Sequence, residues 1–190
     1  MDFRKTDSMK KIFLILLISS FALLSKAQLY TCSEGTVSFF SEAPVENIEA
    51  TNSRVSSFLN TSTNEVMFIV HIRGFTFDKD LMKEHFNEKY MESDKFPTAT
   101  FKGKINEQVD YSKSGTYNVT ATGMLMIHGV EHEINAAGVI TVDKDKINLK
   151  SEFRVPLKGF NIEVPKLVFQ NIAEIISVKI NTNYTPYKKK

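Results

Sequence analysis

The sequence predicts a mainly β fold: an eight-stranded antiparallel barrel with one short helix between strands, at about residues 79–91. Apolar and polar residues alternate through most of the chain, clusters of turn-forming residues separate the alternating runs, and helical periodicity occurs in one stretch. Short strands divided by turns are typical of sandwiches and barrels, whereas an α/β fold needs a helix for each crossover. The 190 residues, 42% of them apolar, are enough for one domain with a core of its own.

The strands follow from period-two alternation, which places apolar side chains on one face of a half-buried strand. Residues 147–155, INLKSEFRV, show it most plainly. The predicted strands cover about residues 36–40, 45–52, 65–74, 98–107, 116–127, 133–142, 147–155 and 177–184. Turn signals at 60–64, 112–115 and 143–145 separate several of them.

The helix is predicted from an amphipathic stretch with Asp78 or Asp80 as its cap. A helix of a dozen residues is marginal alone in water, so we expect it to dock on one end of the barrel. Pro97 forces Phe96 out of helical conformation and returns the chain to a strand. The apolar side of the helix consists of Leu81, Met82, His85, Phe86 and Tyr90.

Small residues fall in phase with the bulky ones on the predicted inner faces. A barrel of eight strands is either filled by its own side chains or holds one small ligand, so small inward residues favour a cavity. Glycine in a strand also marks tight bends, which leaves a second interpretation open. These residues are Ala99, Gly103, Ala121, Gly123, Ala136 and Gly138.

The first 27 residues have the order of a secretory signal peptide: Lys10 and Lys11, an apolar run over 12–24, and the small residues before a cut near Ala27. Thirteen helical residues reach about 20 Å, less than the roughly 30 Å of a bilayer core, so no membrane span is expected after cleavage. We therefore predict an exported protein, periplasmic or secreted. Its segments are a signal peptide (1–27), a mature amino-terminal segment (28–35), the barrel (36–187) and a basic tail (188–190).

Charge and cysteine content exclude other classes. The leader carries five basic and two acidic residues, a charge of +3, so the whole-chain value of +2 leaves about −1 for the mature protein. The remaining lysines are scattered, which gives no nucleic-acid footprint. Cys32 is the single cysteine, so no internal disulfide is possible and the core must supply the stability.

Two motifs resemble the YceI-like family of exported, lipocalin-like bacterial proteins associated with polyisoprenoid binding. The first lies in FNEKYMESDKFPTATFKGKI, residues 86–105, and the second in TGMLMIHGVEHEI, residues 122–134. The resemblance extends over about residues 35–187 and implies an eight-stranded barrel with a long apolar tunnel for a prenyl chain. The residues that carry it are Asp94, Phe96, Pro97, Thr98, Phe101, Gly123, Leu125, Ile127, His128, Gly129 and Val130.

The predicted function is binding and sequestration or transport of a long apolar lipid, a polyisoprenoid or an isoprenoid quinone. Burying one methylene contributes roughly 0.8 kcal/mol, so a few prenyl units suffice for tight binding. Any of the predicted lining residues can instead be plain core. They are Val66, Phe68, Val70, Ile72, Phe101, Ile105, Val119, Ala121, Leu125, Ile140, Leu149 and Phe153.

No catalytic group, cofactor or metal is predicted, and the protein is not expected to be an enzyme. His128 and His132 have the spacing of a helical zinc pair, but Gly129 places them at a turn, where that spacing does not align two ligands. We expect the His128 imidazole to bond to backbone. The alternative function is an exported β-domain for protein contacts or structure, with a filled core, for which apolar outer residues such as Met124 leave a homodimer open.

Overall fold

The computed structural model describes residues 29–42, 47–164 and 172–188. The predicted signal peptide lies outside the described residues, as do Lys189 and Lys190 of the predicted tail. Within the described part of the chain, ten strands form one antiparallel sheet. They are β1 (Leu29–Ser41), β2 (Ile48–Asn52), β3 (Val55–Asn60), β4 (Glu65–His71), β5 (Thr76–Phe77), β6 (Thr98–Ile105), β7 (Gly115–Ile127), β8 (Val130–Asp143), β9 (Lys146–Pro156) and β10 (Ile175–Pro186).

Eight of these strands close into a barrel, which confirms the predicted fold class. The ring runs β1–β3–β4–β6–β7–β8–β9–β10 and returns to β1 through the β10–β1 pairing. Strands β2 and β5 prolong β3 and β4 beyond the ring. Strand β1 pairs with β3 through residues 29–31 and, in the same register, with β2 through residues 37–41.

Asn52 holds the break between β2 and β3. Its side chain is fully buried, accepts a hydrogen bond of 2.7 Å from the Arg54 backbone N–H, and donates one of 2.8 Å to the His71 carbonyl. The amide thereby replaces ladder hydrogen bonds where the strand bends. The same carbonyl precedes the 3₁₀ turn Ile72–Gly74, which separates β4 from β5.

The strands differ from the prediction in the first third of the barrel. Strand β1 begins at Leu29, so residues 29–35, expected before the barrel, belong to its wall. Strand β3 was not predicted, because its inward positions include the polar Ser57 and its outward positions include Phe58, which reverses the expected alternation. The predicted strand at 45–52 is seen as β2, and the run at 65–74 ends as a strand at His71.

The single predicted helix is present. Helix α1 (Asp80–His85) continues as a π-helical turn, Phe86–Tyr90, and the chain re-enters the barrel at β6. The capping prediction was wrong: Lys79 occupies the N-cap position and its side chain makes no cap hydrogen bond, and Asp80 lies in the first turn instead. A carboxylate there still interacts favourably with the helix dipole. No helix among the described residues is long and apolar enough to span a bilayer.

The core is densest at the barrel end opposite α1. The loop between β6 and β7 carries Val109 and Tyr111 over this end, and the inward side chains beneath it touch one another. The fully buried members are Leu59, Ile105, Ile140, Val142, Ile147 and Tyr184. Such packing supplies stability without disulfides, since Cys32 is a free thiol.

Candidate functional site

An apolar cavity of about 520 Å³ occupies the half of the barrel nearer α1. Its walls come from the inward residues of the ring strands, and α1 with its π turn covers one end. The polar residues on the lining are few: Ser41, Lys79, His85, Thr100 and Ser151. A void of this size lies within the range of small-molecule sites, roughly 300–1,000 Å³.

Several inward side chains around this void are only half-buried, although they face the barrel interior. Ile134 on β8, Phe153 on β9, and Val178 and Ile180 on β10 belong to this group. All four line the cavity. Apolar side chains of an ordinary core bury each other, so partial exposure on an inward face is what an unfilled interior produces.

The structure brings eleven of the twelve predicted lining residues to the cavity wall. The exception is Ile140, which points inward as predicted but is fully buried below the cavity floor, beside Leu149 and Tyr117. Contact of the other eleven with a ligand stays a prediction. They are Val66, Phe68, Val70, Ile72, Phe101, Ile105, Val119, Ala121, Leu125, Leu149 and Phe153.

Both interpretations of the small residues hold, each at different positions. Ala99, Ala121 and Ala136 line the cavity and leave room in it. Gly103 and Gly123 are paired across β6 and β7, and a Cβ on Gly123 would lie 2.3 Å from the Lys102 carbonyl oxygen. Glycine is therefore required there by the close approach of two strands.

A buried polar contact lies below the floor of the cavity, and neither of its residues is on the cavity lining. The Ser57 hydroxyl donates to the Met67 carbonyl at 2.8 Å, so at the 2.5 Å contact with Tyr184 the phenol is the donor. Burial raises the pKa of Tyr184 to about 12. Tyr184 is fully buried and does not line the cavity, so the void ends before it.

Phe86 anchors the roof. Its ring lies 5.4 Å from that of Phe39, 5.5 Å from Phe75 and 5.0 Å from Phe77. Aromatic pairs at such distances contribute about 0.5–1.5 kcal/mol each beyond the area they bury. Docking of the helix thus depends on four rings from three parts of the chain, of which sequence analysis identified Phe86 alone.

The two motifs identified in the sequence form a clasp between the roof and the β7–β8 turn. His128 and Gly129 both have positive φ, 51° and 75°, as a tight two-residue hairpin turn requires. The Phe96 ring lies 4.5 Å from the His128 ring, and a Cβ on Gly129 would come within 2.6 Å of Phe96. These residues therefore serve structure at the cavity end.

Hydrogen bonds complete the clasp. His128 Nδ1 donates to the Phe160 carbonyl at 3.2 Å, which agrees with the expected backbone bond, and Nε2 lies 3.2 Å from Glu92 Oε2. A hydrogen bond from Lys95, together with the contact to His128, holds the pKa of Glu92 below its usual value. His132 donates separately, from Nε2 to the Gly159 carbonyl at 2.6 Å.

No group of three or more His, Cys, Asp or Glu side chains able to hold a metal occurs within the described ranges. The two histidines singled out for their zinc-like spacing bond to different carbonyls. Burial raises the pKa of the Cys32 thiol. That shift disfavours the thiolate, the nucleophilic form of cysteine.

Sequence analysis missed the lining residues of β1, β5 and β10. Phe39, Phe77, Val178 and Ile180 all line the cavity. The signal for Val178 and Ile180 was the alternation of the final strand, which predicted their inward face. Phe39 is followed directly by Phe40, and Phe77 lies in a strand of two residues, so alternation gave no register for either.

Comparison with known proteins agrees with the barrel fold. The sequence profile of the YceI-like domain matches residues 30–184. A polyisoprenoid binding domain from Saccharophagus degradans implicated in plant cell wall breakdown is similar in structure, with a TM-score of 0.71, 13% identity, and coverage of 83% of this chain and 98% of that one. No curated protein matches the sequence.

Two further solved structures are similar. Burkholderia cenocepacia BcnA has a TM-score of 0.66 at 15% identity, covering 78% of this chain and 95% of its own. The Campylobacter jejuni YceI protein has a TM-score of 0.61 at 15% identity, covering 78% and 90%. At these identities the likeness shows the fold.

Proposed function

This chain belongs to the YceI-like domain family, and on that basis we propose that its barrel binds an isoprenoid lipid, a polyisoprenoid or an isoprenoid quinone, and carries or stores it unchanged. The observation that carries the proposal is the 520 Å³ cavity with its almost wholly apolar lining. The Saccharophagus degradans domain, described as polyisoprenoid binding, supports the choice of lipid.

The energetics favour such a ligand. Burying ten carbons at roughly 0.8 kcal/mol each contributes about 8 kcal/mol, the free energy of micromolar binding. The half-buried side chains around the cavity would lose their remaining exposure when the ligand binds. They are Ile134, Phe153, Val178 and Ile180. Flexible, branched prenyl chains suit an irregular wall of this kind, and no catalytic group is needed.

We further infer that the protein is exported, from the leader pattern in residues 1–27. Intact-mass measurement of the protein recovered from a bacterial periplasm or culture medium tests this. A chain beginning near Gln28 is expected, and a full-length chain retained in the cytoplasm would contradict export.

Native mass spectrometry tests the binding proposal directly. The protein is incubated with vesicles containing polyprenols and quinones, repurified, and analysed intact and after mild organic extraction. A one-to-one adduct that releases an isoprenoid lipid is the expected result. An empty protein of doubled mass, with no lipid recovered from any mixture, would instead favour the alternative of a domain for protein contacts.

A further inference from the structure

The barrel wall is incomplete between β8 and β9. These strands pair from Asp143–Lys146 up to Gly138–Ser151, and no ladder joins them beyond that point. Residues 130–137 of β8 pair only with β7, and residues 152–156 of β9 pair only with β10. The two strands therefore bound a slot that opens toward the cavity end of the barrel.

The slot is bordered by side chains of the cavity wall. Ile134 and Ala136 lie on its β8 side, and Phe153 and Val155 on its β9 side, and all four line the cavity. At its apex the Ser151 hydroxyl donates to the Ala137 carbonyl at 2.7 Å, in place of a ladder bond. Beyond the apex, side chains alone, with no β8–β9 backbone hydrogen bonds, therefore separate the apolar interior from the outer surface.

Side-chain contacts tie the far end of the slot. The 3₁₀ turn Leu157–Phe160, which follows β9, is bonded to β8 through His132 and to the β7–β8 turn through His128. Separating paired strands breaks several backbone hydrogen bonds at once. Widening the slot breaks no backbone hydrogen bond between β8 and β9, so the two strands separate most easily at this part of the wall.

The capacity of the cavity indicates which chain lengths would need the slot. At about 30 Å³ per group of water size, 520 Å³ holds about 17 groups, between three and four prenyl units. The floor at Tyr184 is closed, so a longer chain has no room to extend downward.

We propose that isoprenoid chains longer than about four units bind with their excess length leaving the barrel sideways through the slot between β8 and β9. This inference rests on the proposed function, because it assumes that the cavity takes an isoprenoid. A chain of three units fits inside, and a chain of four units exceeds the capacity by only about three carbons and needs almost no slot.

A cross-link across the slot tests the route. Asn135 and Arg154 would face one another if the ladder continued three residues beyond Gly138–Ser151. The variant Asn135→Cys/Arg154→Cys is made with Cys32→Ser and joined by a short bifunctional thiol reagent. The matched control, Val139→Cys/Lys150→Cys, places the same link across an existing pair of the same strands.

Binding of a four-unit and a nine-unit polyprenol is measured before and after cross-linking, with the melting temperature as a check of folding. Closing the slot is expected to weaken nine-unit binding at least about tenfold and to leave four-unit binding within about twofold. The control link should change neither. If Asn135→Cys/Arg154→Cys melts early, Ala137→Cys/Glu152→Cys, nearer the apex, replaces it.

Unchanged nine-unit binding in the cross-linked protein would overturn the inference and place the exit at the α1 end. A loss of both polyprenols before any cross-linking would overturn the proposed function itself. The two failures are therefore distinguishable.

Discussion

Replacing Ala121 by Phe separates an open cavity from a filled core. Ala121 lies on the inward face of β7, is half-buried and lines the cavity, and one of its two register partners is the small Ala136. If the cavity is open, the new ring enters the void. If the core is filled, neighbouring side chains have to move to make room for the ring.

The magnitudes follow from the volume. The ring adds six carbons to a cavity that holds about 17 groups, roughly a third of its capacity. Displacing six ligand carbons at roughly 0.8 kcal/mol each removes at most about 5 kcal/mol of binding, and partial accommodation still leaves a tenfold loss or more. The free energy of unfolding should change by less than about 1 kcal/mol, whereas overpacking a filled core costs about 1–3 kcal/mol.

The assay is displacement of a polarity-sensitive fluorescent probe by a four-unit polyprenol, beside urea unfolding of the same samples. Asn118→Phe is the control, because Asn118 is exposed on the outward face of the same strand. Unchanged polyprenol affinity in Ala121→Phe, with normal stability, would refute the placement of the ligand. A stability loss of several kcal/mol would refute the void itself.

Three further predictions concern the frame of the cavity. Burial raises the folded-state pKa of Tyr184 to about 12, so the stabilising contribution of its neutral phenol is complete below about pH 10 and falls by roughly 2–3 kcal/mol as the pH rises to 12. Tyr184→Phe should reduce that loss in alkaline urea titrations. An unchanged dependence of the free energy of unfolding on pH would contradict this role of Tyr184. Gly129→Ala should destabilise by at least about 1 kcal/mol, through its φ of 75° and the Phe96 ring, while Gly115→Ala, whose Cβ would meet Tyr117 at ordinary contact distances of 3.5–3.6 Å, should stay within about 0.5 kcal/mol in thermal melts. Phe86→Ala should cost about 2–3 kcal/mol and speed proteolysis within residues 80–90; equal cleavage rates would mean that the rings do not hold the roof.

Much of the fold could be predicted because its signals are local. The alternation of β9 and the helical stretch that begins at Asp80 are readable within a dozen residues, and both elements are present. The prediction failed where the burial of a side chain depends on a partner far away in the sequence. Ser57 is polar yet buried, because its hydroxyl bonds to Tyr184, 127 positions away.

The site divides in the same way. The inward direction of Ile140 was predictable from the period of its strand, and its exclusion from the cavity was not. Its height along the barrel places it among Leu149 and the closed floor, and height depends on strand register and stagger around the whole ring. Likewise, no local pattern distinguishes Gly123, needed for close strand approach, from Ala121, which leaves space.

Local patterns were enough to predict a β-barrel with one docked helix, the inward side of most strands, and the family motifs around Phe96 and His128, because each depends on neighbours within a few residues. The folded barrel alone reveals that the void ends before the fully buried Tyr184 and that the β8–β9 ladder stops at Gly138–Ser151. Those features arise where segments far apart in the chain meet or fail to meet, and such distances are set by closure of the sheet.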